Sequence, residues 1–158
     1  RHLIEPGSKW AKRRAASFDR VLVDAPCTGT GTWRRNPDAR TRLVERDLLE
    51  LVDKQAAILE ASSRLVRKGG RLVYATCSVL PQENEAQVEA FLAANPEFAV
   101  VPLAQAWPQA AYLAGDPPGE GPYRRLTPLR HGTDGFFGAV MQRAGEAAAG
   151  GDPAGGGG

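Results

Sequence analysis

Three side chains in this sequence are of a type and in a place to do chemistry together: Asp24, Cys27 and Cys77. The first two sit in Asp24-Ala25-Pro26-Cys27, directly behind the short apolar run Val21-Leu22-Val23. The third lies in Leu72-Val73-Tyr74-Ala75-Thr76-Cys77-Ser78, a second run rich in β-forming residues. An ionised thiol is a strong nucleophile, and a carboxylate can orient a polar ring or bind a cofactor. The chain has two cysteines, and both fall at the carboxyl end of a predicted strand. In open α/β sheets, ligands sit just beyond those ends. If the two strands are neighbours in one sheet, both thiols open into the same crevice.

The elements that must position these groups follow from local pattern. A first strand is predicted over residues 20–23, where a continuous apolar run fits burial on both faces of a parallel sheet. Pro26 stops it, since proline cannot donate to a ladder, and Gly29 and Gly31 permit a tight loop. Asn36-Pro37-Asp38 is a helix start, and a helical pattern runs from there to about residue 66, with a break near residues 45–47. Leu48, Leu51, Ile58, Leu59 and Leu65 form one apolar stripe, interrupted by Gln55 and Ser62. Lys68-Gly69-Gly70 is predicted to close that helix, cation first and glycine after. The second strand is predicted over residues 70–78, which completes a βαβ unit.

Pro81 then starts another helix, with Gln82, Glu83 and Glu85 near its positive end. Val88, Phe91 and Leu92 are its apolar face, and Asn95-Pro96 ends it. A third strand is predicted over residues 98–103. Residues 104–132 read as a Pro- and Gly-rich loop anchored by Trp107 and Tyr112. A last strand over residues 135–142 is predicted to be antiparallel and at an edge. Residues 144–158, mostly Ala and Gly, are expected to form a disordered tail.

At 158 residues, with 42% hydrophobic and 24% charged, the composition is that of one soluble globular domain. A net charge of +2 does not by itself announce nucleic acid. The basic residues are clustered, however: Lys9, Lys12, Arg13 and Arg14 early, Arg34 and Arg35 behind the first motif, Arg124 and Arg125 late. Arg34 and Arg35 flank the reactive loop and are candidate phosphate contacts, joined by Arg40, with Trp33 as a stacking surface for an unpaired base. The cysteines lack a Cys-x-x-Cys spacing and His2 and His131 lie far from them, which argues against a metal site. Without an apolar run of spanning length no membrane association is expected, and the expected compartment is a reducing cytoplasm with free thiols.

Asp24-Ala-Pro-Cys27-Thr-Gly-Thr-Gly31, followed by Ala75-Thr-Cys77-Ser78 and Pro81-Gln-Glu-Asn84-Glu85, resembles the Nop/Sun family of RNA cytosine-5 methyltransferases, in particular its bacterial small-subunit ribosomal RNA enzymes. The resemblance runs from about residue 17 through residue 98 and returns weakly at Asp134-Gly135-Phe136-Phe137. It implies an α/β fold: over residues 1–143, the carboxyl-terminal half of a Rossmann-like methyltransferase sheet with flanking helices. It implies S-adenosylmethionine as cofactor and RNA, ribosomal RNA first, as partner. By the same resemblance Cys77 is the nucleophile that adds to C6 of cytosine, Cys27 assists release of the methylated RNA, and Asp24 lies between base and cofactor.

The glycine-rich cofactor turn, the acidic ribose-binding residue and the further Asp that such enzymes carry ahead of the first motif have no counterpart in this chain. The chain is therefore expected to be a partial domain whose strand at residues 20–23 offers an open edge for association. Two alternatives stand beside this reading. One is a catalytically inactive RNA-binding half-domain. The other is a DNA cytosine-5 methyltransferase fragment with Cys27, in its Pro-Cys dipeptide, as nucleophile.

Overall fold

A computed structural model of the protein describes residues 8–106 and 121–145. A single turn of helix, α1 (Lys9–Lys12), leads into β1 (Phe18–Asp24). The chain then passes through α2 (Asp38–Arg42) and α3 (Glu45–Ser63) into β2 (Val66–Thr76). After it come α4 (Glu85–Ala94), β3 (Phe98–Val100), α5 (Leu103–Ala106), β4 (Arg124–Leu126), α6 (Pro128–His131) and β5 (Phe136–Arg143). The five strands make one mixed sheet in the order β1-β2-β5-β3, with β4 also paired to β5. β1 and β2 are parallel neighbours in a register that sets Val21 opposite Leu72 and Asp24 opposite Ala75. β5 runs antiparallel to β2, β3 and β4.

The core follows from strand alternation. Leu72, Tyr74 and Thr76 of β2 and Phe137, Ala139 and Met141 of β5 are buried. Leu59 from α3 and Val88 and Phe91 from α4 close over them. Phe91 meets Phe98 edge-on with ring centroids 5.3 Å apart, and Tyr74 meets Phe137 in the same way at 6.4 Å. Each such buried side chain contributes about 1.5–3 kcal/mol relative to exposure.

Several expectations change in the folded chain. The break expected near residues 45–47 of the helical pattern is present but falls slightly earlier, where Leu43 and Val44 adopt extended backbone between α2 and α3. α3 stops at Ser63, and Lys68-Gly69-Gly70 lies inside β2 instead of closing a helix. The reason is competition for backbone partners: Ala16 N–H donates to Arg64 O at 2.8 Å, and the N–H groups of Ser17 and Phe18 to Leu65 O at 3.0 Å. Gly69, with φ +73°, then absorbs the register shift between Phe18 and Arg20.

β1 is not buried on both faces. Val21 and Val23 enter the core while Leu22 is 68% exposed, and no described element covers its side of this edge strand. β5 is antiparallel as predicted but lies inside the sheet, between β2 and the pair β3 and β4. The third strand is short, since Pro102 has no N–H for a ladder and its carbonyl opens α5 by accepting from Gln105 and Ala106. Within residues 104–132 the described part contains β4 and α6. Ala144, placed in the tail by composition, is tied to the sheet: its N–H donates to Glu97 O at 2.7 Å and its carbonyl accepts from Gly69 at 3.2 Å. Trp107, Tyr112 and the tail from residue 146 lie outside the described residues.

Candidate active site

Parallel pairing of β1 and β2 brings their carboxyl ends to the same side of the sheet. The last bond of that ladder runs from Ala25 N–H to Ala75 O at 2.9 Å, and Pro26 then turns the chain away. Cys27 and Cys77 follow on the two strands, both half-buried free thiols, with their Sγ atoms 3.4 Å apart. This is hydrogen-bond reach for sulfur. One proton shared between two thiols makes the first ionisation easy and the second hard. The hydrogen bond from Cys27 holds Cys77 down at about 7, against the opposing effects of burial and of the negative charges on Asp24 and Glu83. The same contact, with burial, pushes the Cys27 thiol up.

The loop that carries Cys27 is gripped on both sides of the thiol. Gln55, wholly buried on α3, donates from Nε2 to Pro26 O at 2.9 Å. Thr28 donates from its backbone N–H to Glu83 Oε1 at 2.8 Å and from its hydroxyl to Glu83 Oε2 at 2.5 Å. Gln55 Nε2 also reaches Glu83 Oε1 at 2.9 Å, so the two grips form one unit. Beneath it, Tyr74 donates its hydroxyl to Glu83 O at 2.7 Å.

The Cys77 segment has its own supports. Thr76 donates to Asn84 Oδ1 at 2.6 Å, and Asn84 Nδ2 donates to Ser78 O at 3.0 Å, bracketing Cys77. Thr30 and Ser78 hydroxyls meet at 3.0 Å, and Val79 N–H donates to Thr30 Oγ1 at 2.9 Å. Gly31 N–H donates to Cys77 O and Gly31 O accepts from Gly135 N–H, both at 2.9 Å. A Cβ on Gly31 would overlap Gly135 O and lie 2.7 Å from Cys77 O. Glycine is what lets three backbones meet there.

Asp24 ends β1 with an exposed carboxylate that has no hydrogen-bond partner among the described residues. Both oxygens are available to an amine or hydroxyl of a ligand, and its charge is felt at Cys77. Arg34 and Arg35 do not reach the thiols as free cations. Arg35 forms an ion pair with Asp134, donating Nε to Oδ2 at 2.6 Å, and Arg34 Nη2 lies 3.8 Å from the same carboxylate. Both guanidinium groups stay largely exposed, at 61–62%. Trp33 is half-buried with its Nε1 buried and without a hydrogen bond.

Sequence reasoning found the thiols and missed their supports. Glu83 reads locally as charge at a helix start, yet the structure buries it completely in the turn before α4. Gln55 carried a signal, as a polar residue inside an apolar stripe. Among the described residues no group of three His, Cys, Asp or Glu side chains could hold a metal ion. No described helix is long and apolar enough to cross a membrane.

Comparison with known proteins agrees with this geometry. The family model described as 16S rRNA methyltransferase RsmB/F matches residues 5–142. A "Ribosomal RNA small subunit methyltransferase B" of Vibrio cholerae is 40% identical over 126 residues, covering 80% of this chain and 26% of that protein. The protein of the same description from Sodalis glossinidius is 41% identical over 131 residues, covering 83% of this chain and 27% of the relative. This chain thus spans about a quarter of the length of these curated relatives.

Among solved structures, that of PH0851 superposes with TM-score 0.71 at 41% identity, over 82% of this chain and 27% of the other. A methyltransferase homologue from Pyrococcus horikoshii superposes with TM-score 0.58 at 31% identity, over 80% and 39%. The mixed sheet with flanking helices is accordingly of the Rossmann-like methyltransferase type. By motif order, by sheet and by sequence match over most of its length, the chain belongs to the RsmB/F family of 16S rRNA methyltransferases.

Proposed function

We propose that residues 1–143 are the thiol-bearing part of an RNA cytosine-5 methyltransferase, acting on ribosomal RNA. The observation that supports it most directly is the pair of thiols at the ends of adjacent parallel strands, 3.4 Å apart, a contact that favours the thiolate of Cys77. C5 of cytosine is a weak nucleophile and needs activation. The Cys77 thiolate adds to C6, forming a C–S bond and displacing the C5–C6 π electrons onto C5. S-adenosylmethionine, when bound, supplies the electrophilic methyl group that C5 accepts. Removal of the C5 proton then returns an electron pair to C5–C6 and expels the Cys77 sulfur, with Cys27 beside it assisting release.

Asp24, exposed and without a hydrogen-bond partner, fits the part of holding the cytosine edge or the amino or hydroxyl groups of S-adenosylmethionine. Arg34 and Arg35 are proposed phosphate contacts, preoriented by Asp134. The target base must leave its stack to reach a crevice between strand ends, so unpaired RNA is the suitable substrate.

The test is made in a protein of the length its relatives have, with ribosomal RNA as substrate. Cys77→Ala is expected to abolish turnover and form no covalent complex. Cys27→Ala is expected to leave protein covalently attached to RNA, seen as a band that survives denaturing electrophoresis. If both variants slow turnover alike and neither forms a complex, the two-thiol scheme is wrong. A stable complex on Cys77→Ala would make Cys27 the nucleophile.

A further inference from the structure

Glu83 is fully buried, and its carboxylate accepts three hydrogen bonds, two from Thr28 and one from Gln55. No cation pairs with it among the described residues. An unpaired buried carboxylate is costly to maintain, and its cost is lowered here by donors that belong to the Cys27 loop. Gln55, held by Glu83, holds Pro26 in turn. The residues before and after Cys27 are thus both fixed to one carboxylate, while Cys27 itself projects from between them toward Cys77. The Cys77 segment is held chiefly by Asn84 and Thr30, and the two sets of supports touch where Thr28 Oγ1 comes 3.4 Å from Ser78 Oγ.

We propose that Glu83 is the positioning residue for Cys27: through Thr28 and Gln55 it aims the Cys27 thiol at the Cys77 sulfur, and so governs release of the methylated RNA far more than formation of the covalent bond. This inference rests on the two-thiol reading above. Loss of the grip would let the loop drift, and displacement of about 1 Å is enough to cost a reaction step about a hundredfold.

The experiment uses the full-length protein and ribosomal RNA, and measures covalent complex, single-turnover rate of complex formation and melting temperature. Glu83→Gln keeps the size of the side chain but places an amide N–H₂ where one acceptor stood, opposite donors. It is expected to accumulate the covalent complex as Cys27→Ala does, with complex formation within about threefold of the parent and turnover down by about a hundredfold. Thr28→Val removes one of the three bonds and leaves Glu83 in place; it is expected to accumulate less complex, with the same sign, and decides the matter if Glu83→Gln does not fold. Complex formation and turnover falling in parallel, or turnover unchanged in both variants, would overturn the role assigned to Glu83. Absence of complex from Cys27→Ala itself would instead remove the two-thiol reading, and this inference with it.

Discussion

Cys77 owes its acidity chiefly to a neighbouring thiol. The hydrogen bond across 3.4 Å favours the charged form of Cys77, which sits near 7 where an ordinary thiol is at 9.0. Alkylation by iodoacetamide, followed by mass spectrometry, is expected to label Cys77 with an inflection near pH 7 while Cys27 stays unreactive until strongly alkaline pH. In Cys27→Ala the donor is gone, and the inflection should move up toward 9.0 or beyond, since burial and the charges of Asp24 and Glu83 then act unopposed. An inflection that stays near 7 in the variant would mean another group stabilises the thiolate. Asp134 shows the opposite arrangement, a carboxyl held below the usual range by the Arg35 hydrogen bond. That pair persists as pH falls through the ordinary carboxylate range and is lost when pH falls through the lowered value.

At the scale of elements, the site depends on how closely the loops behind β1 and β2 approach the start of β5. Gly31 sits at their meeting point, bonded to Cys77 O on one side and to Gly135 on the other. Gly31→Ala forces its Cβ against backbone that cannot rotate aside. It is expected to destabilise the fold by about 1–3 kcal/mol, as overpacking does, and to lower turnover further by separating the thiols; thermal melts and complex formation check both. Gly31 was legible as a loop glycine, but its close contacts were not, because they join residues far apart in sequence. Helix ends show the same limit. Lys68-Gly69-Gly70 is a sound stop signal by itself, and it is overridden because Ser17 and Phe18 claim the carbonyl of Leu65.

Across the whole molecule, β1 is the exposed feature. It ends the sheet, its outer edge is unpaired among the described residues, and Leu22 is left 68% exposed. An open, apolar edge strand is a template for pairing. The isolated chain is expected to associate with rising concentration, measured by sedimentation velocity, and Leu22→Lys is expected to reduce association without loss of helix signal. A monomer with a concentration-independent melt would show that the edge is tolerated.

Local pattern determined much of this protein. Two β-rich runs, each ending in a cysteine, with one helical stretch between, were enough to predict a crevice with two thiols and to mark the family resemblance. Periodicity and stop signals act over a few residues, and they read such features well. The tertiary structure alone decided that Cys27 and Cys77, 50 positions apart, come within 3.4 Å, and that Glu83 reaches back 55 positions to hold Thr28. It also placed β5 inside the sheet and left Leu22 uncovered. Those outcomes depend on strand register and on which buried polar groups find partners. Both are settled by the whole set of competing contacts, and a stretch of sequence contains only one side of each.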